Sequence, residues 1–191
     1  MRYAGTHLPP LLVAHRQGMK RFLWCLVPLA LTACGTLPVG SAAIPDVQLT
    51  IPASLSLPVA LTTPVVYLRE DRFGGRGIPP LVNSVGVQGS AHYSGSGQVQ
   101  QLRVYVRPSL DALPGCFAFT DYVVCFGDES AQAVGTIDFS RDNPTAVSLG
   151  GPALLNAARA GTGYFGLQAT GRSVTAGDVL TFTNLRAVAK F

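Results

Sequence analysis

Cys116 and Cys125, in the stretch GCFAFTDYVVCF, are the residues whose type and spacing most directly specify a chemistry. On one extended strand they would stand roughly 30 Å apart, at about 3.3 Å per residue, and face opposite ways. A turn centred on Thr120 and Asp121 instead sets them opposite each other in a non-hydrogen-bonded pair, where side chains across an antiparallel ladder approach most closely. A disulfide is therefore expected, with two free buried thiols as the alternative. No metal site is expected, because beyond residue 34 the chain has no further cysteine and a single histidine, His92.

Other reactive residue types are sparse. The chain lacks G-x-S-x-G, H-E-x-x-H, G-x-x-x-x-G-K-[ST] and the EF-hand pattern. His92 falls on the polar face of an alternating run, which suits an inert surface side chain better than a general base. Asp111, Asp121, Asp128, Glu129, Asp138 and Asp142 are scattered over loops and strand ends, where solvation and turn formation account for them. Neither FGDES nor SRDNP has the regular oxygen alternation of a dedicated Ca²⁺ loop. The expectation is a non-catalytic binding or structural module with no cofactor; the alternatives are a carrier of a lipid or apolar ligand, which would need a sizeable internal cavity, and a carbohydrate-active hydrolase.

Two segments could bind a partner. LREDRFGGRGIPP, residues 68–80, gathers Arg69, Glu70, Asp71, Arg72 and Arg76 around Phe73, with Gly74, Gly75 and Gly77 loosening the backbone. Such a loop could receive a carboxylate or phosphate group, or its charges could simply pair with one another at the surface. In QLRVYVR, alternation places Arg103, Tyr105 and Arg107 on one outward stripe, suited to stacking and bidentate hydrogen bonds. The partner expected for either is an envelope protein or polymer.

The remaining chemistry lies near the start. Lys20 and Arg21 precede a 12-residue apolar run, Phe22 to Ala33, which fits a signal-peptide core of roughly 7–15 residues and is too short for a bilayer, which takes about 20. Leu31, Thr32, Ala33 and Cys34 close that run, and Gly35 follows. This ending resembles the lipobox of bacterial lipoproteins. The resemblance, which covers Lys20 to Gly35 only, implies cleavage before Cys34, a diacylglycerol thioether on its sulfur and anchoring to a membrane. Two or more acyl chains would hold stably where one holds marginally. Cleavage by an ordinary signal peptidase, with free secretion, is the alternative. Met19, just before Lys20, is the expected start of translation.

Removing residues 1–33 changes the charge. Arg2, Arg16, Lys20 and Arg21 account for the whole formal excess of +4, since all 10 acidic residues lie beyond Cys34. The remainder is neutral, which argues against nucleic acid as a partner.

The elements that must position these residues read as all-β. Residues 34–45 are expected to be the lipidated cysteine and a flexible tether, and 46–191 one antiparallel β-sandwich of Greek-key or jelly-roll type. Alternation marks strands over 46–51, 54–60, 64–69, 84–93, 98–107, 116–119, 122–126, 132–139, 145–149, 164–170 and 178–190. A hairpin is expected around Ser94 to Gly97, pairing Val85 with Val106, Val87 with Val104 and Gly89 with Leu102, with Tyr105 covering the gap at Gly86. The apolar phase of the last strand changes near Asn184, which predicts a bulge there. Pro152 to Ala160 is the one expected helix, with Pro at its first position and Gly161 at its stop.

Overall fold

Alternation of period two runs through most of the chain, and nearly every such run becomes a strand. The structure, a computed structural model, describes residues 38–51, 64–111, 113–140, 142–171 and 174–191. The chain divides into two units, Met1–Cys34 and Gly35–Phe191, and every described residue belongs to the second. The leader, Cys34 and the strand expected over 54–60 lie outside the described residues.

The first sheet contains β1 (Pro38–Ala43), β2 (Val47–Thr50), β4 (Ser84–Ser94), β9 (Thr145–Gly150) and β11 (Val179–Lys190). Its order is β1-β11-β4-β9, and β2 takes the same edge of β11 as β1 but nearer its start. The second sheet runs β6 (Cys116–Ala118), β7 (Tyr122–Cys125), β3 (Val65–Leu68), β10 (Tyr164–Gly171), β5 (Val99–Arg107), β8 (Ala133–Asp138). Every pairing is antiparallel, and the apolar faces of the two sheets share one core. The expected all-β sandwich is the architecture.

Two expectations about pairing are corrected. Pro38–Ala43, placed within a flexible tether, is a strand whose residues 40–43 lie opposite Arg186–Ala189 of β11. Its small, uncharged residues suit an exposed edge as well as they suit coil, so composition could not distinguish the two. The turn at Ser94 to Gly97 exists, but β4 and β5 belong to different sheets, and the expected hairpin register does not form. Val87 pairs with Ala187 and Leu149, whereas Val104 pairs with Leu167 and Gly135. The two valines face the same space from opposite walls.

Asp178 holds this arch. Its carboxylate, on a residue only 1% exposed, accepts hydrogen bonds from the backbone N–H of Ser96 at 3.0 Å, Gly97 at 3.3 Å and Thr175 at 2.7 Å, and from Tyr93 Oη at 2.5 Å. These bonds satisfy loop donors that a tight hairpin would have paired within itself. Gly95 (φ 152°) is required there, because a Cβ would run into the Asp178 side chain.

The bulge expected near Asn184 is present: Asn184 has φ 54°, and the β11–β4 register shifts between Thr183 and Arg186. α1 (Pro152–Ala160) also matches its expected limits, and Gly161 ends it in the left-handed region at φ 75°. The helix buries Ala153, Leu154, Ala157 and Ala158 against strands of both sheets.

Candidate functional site

Between the sheets lies a cavity of about 300 Å³. Such a volume is at the lower end of the range for ligand pockets and far exceeds an ordinary packing void. Alternation builds its walls. The first sheet contributes Val85 and Val87 of β4, Leu149 of β9 and Phe182, Leu185 and Ala187 of β11. From the second come Leu68 of β3, Val104 of β5 and Phe165 and Leu167 of β10, and α1 adds Leu154. Among the described residues the lining is apolar except for Arg72. Among the described residues, no buried side-chain polar atom lacks a hydrogen-bond partner. The space offers an apolar ligand burial and makes no demand for polar groups along its length.

The arginine-rich loop forms part of the rim. Asp71 Oδ1 accepts from the N–H of Phe73 at 2.9 Å and of Gly163 at 2.8 Å, while Arg72 N–H donates to Gly163 O at 3.0 Å. Burial opposes the charge on Asp71, yet the N–H groups of Gly163, Phe73, Gly75 and Gly74 together hold its carboxyl below the usual carboxylate range. Further on, Gly75 N–H bonds Gly161 O at 2.9 Å and Ile78 N–H bonds Ala158 O at 3.0 Å. Phe73 stacks on Phe165 with centroids 6.3 Å apart, over Gly163, where a Cβ would collide with the ring. The loop is thus fastened to the end of α1 and the start of β10. Arg72 Nη2 lies 2.6 Å from Glu70 Oε2, with the two side chains 32% and 64% exposed. Arg69 and Arg76 are exposed.

The second expected binding stripe is corrected at two of its three positions. Arg103, Tyr105 and Arg107 do share the outer face of the second sheet, but only Arg103 is exposed. Tyr105, 4% exposed, packs with Val65, Tyr67, Val123 and Cys125 beneath Leu110 and Leu113, and its hydroxyl donates to Gln168 Oε1 at 2.7 Å. Arg107 meets the buried carboxylate of Glu129 with three contacts, Nε to Oε2 at 2.9 Å and Nη2 to Oε1 and Oε2 at 2.9 and 2.7 Å. Tyr67 Oη donates to Glu129 Oε2 at 2.7 Å, and the Arg107 guanidinium carbon sits 5.6 Å from the Tyr67 ring centroid. Tyr105 does not cover Gly86. Instead Gly166 of β10 lies between Tyr67 and Tyr105 in the ladder, and a Cβ there would be 2.5 Å from the Tyr67 ring.

Cys116 and Cys125 pair across β6 and β7 as the spacing predicts, form a disulfide and have Cα atoms 4.1 Å apart. Phe119 N–H donates to Tyr122 O at 2.8 Å at the expected turn. Both sulfurs lie within 4.8 Å of a Glu129 carboxylate oxygen. Outward from this hairpin stand Phe117, Phe119 and Phe126, all exposed, with Phe117 edge-on to Phe126 and Phe119 stacked on Tyr122. His92 is exposed on the strand face where alternation put it.

Glu129 and Asp178 are the polar residues that sequence reasoning missed. Its loop position suggests solvent for Glu129, yet it is 7% exposed. The partners of these carboxylates, Tyr67 and Tyr93, are 62 and 85 residues away, so no local signal marks them. No protein-family model matches the chain, and no curated protein matches it in sequence.

Proposed function

We propose that this chain is an exported lipoprotein, held at a bacterial membrane by an acylated Cys34, whose β-sandwich is a non-catalytic binding module carrying an apolar ligand between its sheets. The leader supports the first half: a basic pair, a short apolar core and Leu31-Thr32-Ala33-Cys34 follow one another in the order that lipoprotein processing requires. One observation favours carriage over a purely structural role, namely the apolar cavity of about 300 Å³. The exposed Arg69, Arg76 and Arg103 favour a second reading, in which the outer surface also docks an envelope protein or polymer.

Native mass spectrometry of the full chain, purified from its own envelope, tests both halves. The expected result is a diacylglycerol thioether on Cys34 together with a non-covalent apolar adduct. An unmodified Cys34 with residues 19–33 still attached would remove the anchor. A protein that is ligand-free and takes up no apolar probe would remove the carriage.

A further inference from the structure

The one cation among the described residues of the cavity lining, Arg72, decides which apolar ligand suits it. Resting on the reading of the cavity as a ligand site, we propose that its occupant is a single-chain amphiphile with a carboxylate head, the chain lying between the sheets and the head on Arg72. A guanidinium presents a planar fork matched to a carboxylate. Glu70 marks the position, since its own carboxylate already sits 2.6 Å from Arg72 Nη2. That internal pair is exposed to solvent and therefore exchangeable, because water screens most of its attraction.

Preorganisation favours the same end. The backbone on both sides of Arg72 is tied to Gly163, directly and through Asp71, so the arginine's attachment point is fixed before a ligand arrives. Among the described residues the rest of the lining has no polar side chain, so a polar group midway along the ligand would lack a partner there. At about 30 Å³ per methylene-sized unit, the share one water takes in the liquid, the space suits a chain of about ten carbons.

The test uses the full chain in non-ionic detergent, a photoreactive ten-carbon acid and the matching alcohol, with labelling read by intact mass and peptide mapping. All variants are compared at one detergent concentration, so partition into micelles cancels. The acid is expected to label β10 and β11 of the wild type and to label Arg72→Gln about tenfold less, as loss of a charge-assisted hydrogen bond implies. Glu70→Gln should raise acid labelling by freeing the guanidinium, whereas alcohol labelling should be unaffected by Arg72→Gln. Ala187→Phe, which fills the cavity, should suppress both probes; Val87→Phe is the substitute if a thermal melt shows the first variant unfolded. Equal labelling by acid and alcohol, indifferent to Arg72→Gln, would overturn the head-group assignment while leaving the cavity as a ligand site. Absence of labelling by either probe, or labelling indifferent to filling, would overturn both.

Discussion

The second sheet uses the same strands to build two unlike faces. Toward the first sheet, Val104, Phe165 and Leu167 border a hollow. Away from it, Tyr67, Tyr105, Val123 and Cys125 are packed under a loop, cross-linked by a disulfide and held by a buried ion pair. The strands on either side of β10 are thereby fastened from outside. A sheet stiffened on its outer face can keep its distance from its partner without filling all the space between, and that spare space is what a ligand needs.

Removing Arg107 should break this contrast most severely. Arg107→Ala leaves Glu129 buried without its cation, for an expected loss of about 3–5 kcal/mol in urea unfolding. A loss below about 1 kcal/mol would class the pair with solvent-screened surface bridges. Next, replacing Cys116 and Cys125 together by serine is expected to cost roughly 2–3 kcal/mol, because the short closed loop no longer restricts the unfolded chain. Unchanged unfolding in that double variant would mean the hairpin needs no cross-link.

A matched pair of added methyl groups sharpens the comparison. Gly166→Ala puts a Cβ on the outer face, 2.5 Å from the Tyr67 ring, and is expected to cost about 1–3 kcal/mol. Val87→Ile adds one carbon facing the hollow and should gain up to about 0.8 kcal/mol. Thermal melts measure both; effects of the same sign would mean the two faces are equally full.

The smallest expected effect is in pH dependence. Burial opposes the charge of Asp178, but the hydrogen bonds from Tyr93 and from the N–H groups of Thr175, Gly97 and Ser96 hold its carboxyl below the usual range. Its folded value is lower than its unfolded value of about 3.9, so the stability it contributes is complete above that pH and is lost as pH falls through the folded value. Asp178→Asn should flatten the acid limb of a stability–pH curve, leaving the part due to Asp71 and Asp128, whose carboxyls are also held low by hydrogen bonds. Tyr67 and Tyr93 shift the other way, raised first by burial and then by their carboxylate partners. Their contribution is complete below about pH 10 and declines above it. A curve for Asp178→Asn that overlays the wild type in acid would remove Asp178 from this account.

How much of this was legible in the sequence depended on the range of the interaction. Local signals served well: α1 begins at Pro152 and stops at Gly161, Cys116 meets Cys125 across Thr120-Asp121, and the phase change at Asn184 is a bulge. Alternation also identified the buried sides of β4 and β5, but a buried side does not specify a ladder partner. Val87 and Val104 face one another across the core, which satisfies the same pattern as a hairpin would. What decides between the two is Asp178, more than 80 residues from the loop it holds. The cavity was equally invisible, since residues of ordinary core type line it and only their spacing in three dimensions leaves it open.

In the first sheet β11 pairs with β4 on one side and with both β1 and β2 on the other. Without it, β1 and β2 have no ladder partner and β4 keeps β9 alone, so the first sheet closes only when segments far apart in sequence meet, and the entropy of closing those long loops must be met before the contacts reward it.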